Sequence, residues 1–239
     1  MIKTIKEWVN SDVKKLKKKG VKEISTLHFF RDPIRPNFID SNLIFPSTDG
    51  TIMHHKIVED PTEPILEVKG LKYTLQDVLC DPDYNKPSIV LEIFLSFYDV
   101  HVARIPYSGF LKYKYTDPIK SYNLPMLEVE QSLLKQMVNH EAMIPYLKNN
   151  EKLIAEIYNP RLNYKYYTAL IADQDVDVIA IFNTDQNEYY QTNNRFAQIR
   201  YGSQSTLILP LDERFDFEFL IEPHVHIETV DPLFKIHKK

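Results

Sequence analysis

Arg200–Tyr201–Gly202–Ser203–Gln204–Ser205–Thr206 runs directly into the apolar stretch Leu207–Ile208–Leu209–Pro210. A short apolar run bounded by turn residues reads as a buried strand, with Gly202–Ser203 at its mouth. The chain has only five glycines in 239 residues, so each marks a place where a side chain is poorly tolerated. Gly-Ser before a strand is ordinarily a turn. It also carries a second chemistry. The serine hydroxyl can attack the preceding carbonyl, convert the amide to an ester, and lose that ester by β-elimination. The products are a shortened chain and a new N-terminal pyruvoyl group, and glycine permits the strained bend the attack requires.

Working outward, the composition is that of an ordinary globular chain, 44% hydrophobic and 26% charged. The length allows a substantial core in one domain or two. A net charge of −4 and a pI near 6.1 give no reason to expect nucleic-acid binding. The single cysteine, Cys80, excludes an internal disulfide and a cysteine metal cluster and fits a reducing compartment. No apolar run reaches the roughly 20 residues of a membrane span, and no signal peptide opens the chain.

Residues 1–20 read as a basic amphipathic helix. Ile2, Ile5, Trp8, Val9, Val13 and Leu16 follow helical spacing, and Lys14, Lys15, Lys17, Lys18 and Lys19 crowd its end before Gly20. Two readings stay open: a membrane-surface helix with Trp8 at the interface, or a helix docked on its own domain with solvated lysines. Asp49–Gly50 between apolar stretches signals a tight turn. Ile65–Thr74 reads as a hairpin with Gly70 in its turn, and Thr74 with Asp77 as a helix cap. Ser88–Ser96 is strongly β-forming. Asp99, His101 and Arg104 follow it as polar groups just past a buried strand. His54 and His55 are adjacent on a strand and point to opposite faces, so they are not read as a metal pair.

Leu127, Val129, Leu133, Leu134, Met137, Val138, Met143 and Ile144 recur at helical spacings. They are read as core or as a dimer surface. Further β-rich runs are expected at residues 152–157, 164–171, 176–182, 196–201, 206–209, 215–220 and 233–236. No repeat or linker is evident, so residues 1–239 are read as one domain.

Taken in order, the pieces resemble the phosphatidylserine decarboxylase family of self-processing pyruvoyl enzymes. Phe29–Phe30–Arg31–Asp32–Pro33 resembles its FFR-x-P element, and Phe45–Pro46–Ser47–Thr48–Asp49–Gly50 its SPADG element. Val68–Leu79 resembles its KG-x-x-Y-S-L-x-D-L-L segment, and Phe94–Pro106 its FLSP-x-DVHVNRAP segment, with Gly109 at the following glycine. Asn150–Glu151–Lys152 stands at its NER, and Gln198–Ser203 resembles GMIRFGS, the processing site. Four of the five glycines fall at motif glycines.

The resemblance implies roles. Ser203 is expected to be the nucleophile and then the pyruvoyl cofactor, with cleavage after Gly202 into chains 1–202 and 203–239. Asp49 and His101 are expected to form the oriented base that deprotonates the serine, and His101 to return a proton after CO2 loss. The pyruvoyl carbonyl would act as the electron sink. The shorter members carry arginine where longer ones have a second histidine. Arg104 stands there and is expected to bind a substrate carboxylate or phosphate. Two departures stand out: Gln204 occupies the position of the family's threonine after the serine, and residues 112–150 are the least family-like.

The expected fold is α+β, a mainly antiparallel, barrel-like sandwich with an N-terminal amphipathic helix and a helical insertion near 125–148. The expected function is conversion of phosphatidylserine to phosphatidylethanolamine and CO2. The alternatives are a soluble amino-acid decarboxylase of the same family, or an unprocessed binding protein. Expected partners are a phospholipid or amino-acid substrate and a second copy of the chain. Nucleic acid and metal are not expected. The expected location is cytoplasmic, with peripheral membrane contact through residues 1–20.

Overall fold

The computed structural model describes residues 2–37, 42–116, 123–173, 179–182, 185–200 and 203–239. Gly202 and Tyr201 of the expected processing site lie outside the described residues, as do residues 176–178 of the run expected at 176–182.

A nine-stranded sheet organises the described residues. Its order is Lys3–Thr4, Val225–Ile227, Gly50–Val58, Ser88–Leu95, Ser203–Pro210, Tyr164–Ile171, Lys152–Asn159, Gly109–Tyr115 and Glu188–Tyr190. All of its pairings are antiparallel. Ser88–Leu95 and Ser203–Pro210 sit side by side near its centre and are buried at every position. This is why both read as continuous apolar runs rather than alternating ones. The sheet stays open, so the expected barrel-like sandwich takes the form of a layered sandwich.

Alternation along the strands divides the core in two. On one face Ile89, Leu91, Ile93, Leu207 and Leu209 pack against two small sheets. These are Ile179–Ile181 with Arg195–Ile199 and Val102–Arg104, and Phe215–Phe219 with Phe234–Lys238 and Leu43–Ile44. On the other face Val90, Phe94 and Ile208 meet the Pro64–Val68/Leu71–Thr74 hairpin and the helices Leu75–Leu79, Leu127–Leu134 and Ile144–Asn149. The expected helical insertion is therefore two short helices; Val129, Leu133, Met143 and Ile144 of its apolar stripe are core, whereas Leu127 and Met137 are exposed. The hairpin turns at Lys69 and Gly70, both at positive φ (51° and 78°). Thr74 and Asp77 form the capping box.

Two local expectations change. The N-terminal helix starts at Ile5 behind a Thr4/Glu7 capping box and stays helical through Leu16, with a π-helical stretch at Val9–Val13. A further helical stretch covers residues 21–28. Its apolar stripe is docked: Ile5, Trp8, Val13 and Leu16 are buried, and Trp8 stacks on His226 at 5.0 Å. Trp8 is thus not at a membrane interface. The second change concerns Asp49–Gly50, which does not close a hairpin. Gly50 opens a strand beside Ser88–Leu95, where an added Cβ would lie 2.4 Å from the Phe94 carbonyl oxygen. The glycine serves close approach of two backbones rather than a tight turn.

Candidate active site

Strand ends converge at one corner of the large sheet. Ser203 opens its strand opposite Leu95, Thr51 pairs with Phe94, and Ile227 pairs with Gly50. The segment after Leu95 folds back so that the His101 carbonyl accepts the Ile199 N–H at 3.0 Å. Residues from four distant parts of the chain therefore meet where the segment ahead of Ser203 ends.

Ser203 is fully buried, and its Oγ has no hydrogen-bond partner among the described residues. A buried hydroxyl without a partner costs free energy, and Ser47, Thr51, Thr168, Thr206 and Thr229 share that state; Ser203 is set apart by its place at the head of the strand, next to Gly202 in the sequence. Two residues on, the Ser205 hydroxyl meets the Thr48 hydroxyl at 2.7 Å, tying this strand to the segment that carries Asp49.

Asp49 is buried and receives Arg35 Nη2 at 2.8 Å and the Thr229 N–H at 2.8 Å. Burial pushes its carboxyl up to about 6, against the pull of Arg35 and Thr229. Arg35 also pairs with Glu228. His101 is buried, with Nδ1 3.1 Å from the Asp99 carbonyl oxygen and its ring stacked on Phe29 at 4.1 Å. The expected Asp49–His101 hydrogen bond is absent among the described residues. Asp49 faces Arg35 and Thr229, and the imidazole is oriented by Asp99 and Phe29.

A carboxylate–imidazole pair does form, with other members. His226 Nε2 lies 2.6 Å from Asp99 Oδ1, and both side chains are buried. The Ser96 N–H and hydroxyl donate to Asp99 Oδ2, each at 2.7 Å. Burial alone would raise this carboxyl, but His226 and the two Ser96 bonds outweigh it and hold Asp99 below its usual range. Asp99 was singled out from sequence. His226 was not: strand alternation would put His224 and His226 on one face, and only the fold separates them, with His224 exposed ahead of the strand Val225–Ile227 and His226 buried in it.

Arg104 is the clearest displacement from expectation. Its guanidinium donates to Asp32 Oδ1 at 2.8 Å and to the carbonyls of Pro33 and Asn193, both at 3.1 Å. It braces the Asp32–Pro33 segment and does not line the cavity beside the site. That cavity, about 500 Å³, is walled by Arg31, Arg35, Asp49, Asp99 and His226, with Lys15 and Lys19 at its edge. Arg31 donates only to the backbone carbonyls of His28, Tyr98 and Asp99. Among the described residues it therefore has no ion-pair partner, although burial pulls its pKa down. An arginine held by carbonyls beside a cavity is equipped to receive an anion. A smaller cavity of about 220 Å³, between Leu79, Lys112 and Tyr167, holds no comparable grouping.

A family model described as phosphatidylserine decarboxylase matches residues 24–230. Phosphatidylserine decarboxylase proenzymes are among the similar proteins. That of Ehrlichia chaffeensis is 28% identical over 78% of this chain and 66% of its own length. That of Chlorobium limicola is 26% identical over 77% and 68%, and that of Wolbachia pipientis wMel 27% over 77% and 65%. The chain spans about two thirds of the length of these relatives.

Proposed function

The chain belongs to the phosphatidylserine decarboxylase family, and from that premise we propose that it is a self-cleaving, pyruvoyl-dependent decarboxylase converting phosphatidylserine to phosphatidylethanolamine and CO2. The observation that carries the proposal is Ser203. It is a buried hydroxyl with no hydrogen-bond partner among the described residues, at the head of a central strand, and the segment that carries His101 bonds to Ile199 just ahead of it in the chain.

In this reading the Ser203 hydroxyl gives up its proton to His101 and attacks the carbonyl carbon of Gly202. The peptide C–N bond breaks, an ester forms, and β-elimination releases Gly202 as a carboxylate. Hydrolytic loss of ammonia from residue 203 then leaves the pyruvoyl group. That group supplies an electron sink for decarboxylation. The residues present suit it: position 203 is dry, and Thr48 holds the next turn of the strand through Ser205.

The remaining roles belong to this chain's own side chains. His101 holds the proton that replaces CO2. Asp49 fixes the Arg35 guanidinium at the cavity wall, and Arg31 with Arg35 receives the phosphodiester of the head group. Arg104 supports this wall from behind through Asp32. For a lipid substrate, the approach is through the exposed lysines 14, 15, 17, 18 and 19 and the exposed Leu27, Phe30 and Ile34. Basic residues attract anionic lipid, and exposed apolar side chains enter the interface. Among the described residues no helix is long and apolar enough to cross a membrane.

The test is an intact-mass spectrum of the purified protein under denaturing conditions, beside Ser203→Ala. Two chains are expected, the smaller starting at residue 203 and about 17 Da lighter than a serine terminus requires. Ser203→Ala should remain whole. A Ser203→Ala chain still cut at this position removes the assignment. Activity on phosphatidylserine vesicles, with none on free serine in buffer, separates the lipid from the amino-acid substrate.

A further inference from the structure

The face of the large sheet behind Ser203 carries a second hold on the reactive strand. Alternation sends Ser203 and Ser205 toward Thr48 and sends Gln204 to the opposite face. There the Tyr146 hydroxyl, from the helix Ile144–Asn149, donates to Gln204 Oε1 at 2.7 Å. Gln204 and Tyr146 are both buried, at 0% and 1% exposure. Gln204 Nε2 has no partner among the described residues, so the Tyr146 hydroxyl alone orients this amide. Burial, aided by the Glu92 carboxyl, raises the Tyr146 phenol well above its ordinary value. It is therefore a donor at any physiological pH.

The two partners coincide with the two places where this chain departs from the family pattern. Gln204 stands where the motif has threonine, and Tyr146 lies in the least family-like segment. We propose that Tyr146 is a positioning residue for self-cleavage, acting through Gln204 to fix the backbone next to the nucleophile. This rests on the reading of Ser203 given above and names what holds it.

The physical case is geometric. Ser203 must bring its own Oγ onto the carbonyl immediately before it, through a tight ring that tolerates few backbone and χ1 angles. Residue 203 has a paired neighbour on one side only, Leu95, because the Tyr164–Ile171 pairing begins at Gln204. Its position is therefore set mainly by residues 204 and 205. Thr48 grips 205 from the front, and Tyr146 grips 204 from behind. Losing the rear hold leaves a buried amide free to choose another rotamer, and displacements near 1 Å at a reacting centre cost up to ~100-fold in rate.

The experiment follows the cleavage time course of freshly translated chain for wild type, Tyr146→Phe, Gln204→Met, the double variant and Ser203→Ala. Thermal stability is measured for the same substitutions in the Ser203→Ala background. Each single variant is expected to cleave at least ~10-fold more slowly, and the double no more slowly than either, since one bond is removed in all three. Stability should fall in Tyr146→Phe and return in the double, which leaves no buried polar group unpaired. A double variant that regains the wild-type cleavage rate along with stability overturns the proposal, because the bond then serves folding only. So does a Tyr146→Phe chain that cleaves at the wild-type rate. Wild-type chain that never cleaves removes the underlying reading of Ser203 itself.

Discussion

Glu92 makes the sharpest energetic prediction. It lies fully buried at the middle of the central strand Ser88–Leu95, in register with His54 on one side and Thr206 on the other. Neither carboxyl oxygen has a partner among the described residues. Burial pushes this carboxyl from 4.5 up to about 8. The neighbouring groups offer no cation: Tyr73 and Tyr146 are held protonated by burial, and burial pulls His54 down to about 4, so it is neutral at pH 7. A carboxyl whose folded pKa is raised binds its proton more tightly in the native state. Stability is therefore full below about pH 4.5, falls through the window to about 8, and is flat above it. The shift corresponds to about 5 kcal/mol across that window. Glu92→Gln has nothing to titrate. In the Ser203→Ala background, urea unfolding should give the variant and its parent similar stabilities near pH 5. Near pH 9 the variant should be more stable by about 4–5 kcal/mol, or roughly 10–15 °C in Tm. Asp49 and Glu130, raised to about 6 and about 8, cancel in the difference. Stabilities that run parallel with pH would refute the reasoning, because Glu92 would then be solvated and ionised inside the fold.

His101→Ala should yield either an unprocessed chain or a processed chain without decarboxylase activity on phosphatidylserine vesicles, and full activity would remove His101 from the mechanism. Gly50→Ala places a Cβ 2.4 Å from the Phe94 carbonyl oxygen at a φ of +154°. It should cost about 1–3 kcal/mol in urea unfolding of the Ser203→Ala chain, and an unchanged midpoint would mean the two strands part without penalty.

The central strands were legible because burial on both faces leaves an unmistakable record: Ser88–Leu95, Tyr164–Ile171 and Ser203–Pro210 contain long runs of β-formers. The hairpin at Lys69–Gly70 and the Thr74 cap were legible because turn and cap chemistry is local. What covers an apolar stripe is not local. The spacing of Ile5, Trp8 and Leu16 is the same whether the helix faces lipid or protein, and only the fold reveals His226 beneath Trp8. The site divides along the same line. Ser203, His101 and Asp49 stood out in sequence through their resemblance to family motifs. The partner of each acid was not, since Asp99 and His226 lie 127 residues apart in the chain. Arg104 was read as facing substrate because its charge is visible in sequence, whereas the Asp32 that neutralises it is visible only in space.

A cut before Ser203, as proposed above, would also constrain the order of events. Ser203–Pro210 pairs along its whole length with Ser88–Leu95 and on its other edge with Tyr164–Ile171. Further on, His226 reaches Asp99, Val225–Ile227 pairs with Gly50–Val58, and Phe234–Lys238 pairs with Leu43–Ile44. The segment after the cut is thus woven through the segment before it and supplies one member of the buried acid–imidazole pair. A chain beginning at residue 203 would hold strands from the interior of two sheets without the preceding strands they pair with, and the preceding chain would lack a central strand of its own sheet. The Ser203 hydroxyl, His101 and both holds on the strand come together only when the two segments have already folded as one. In the proposed mechanism folding therefore precedes cleavage, and after the bond breaks, the pairing with Leu95 and the ladders that begin at Gln204 would keep residue 203 where the fold first placed it.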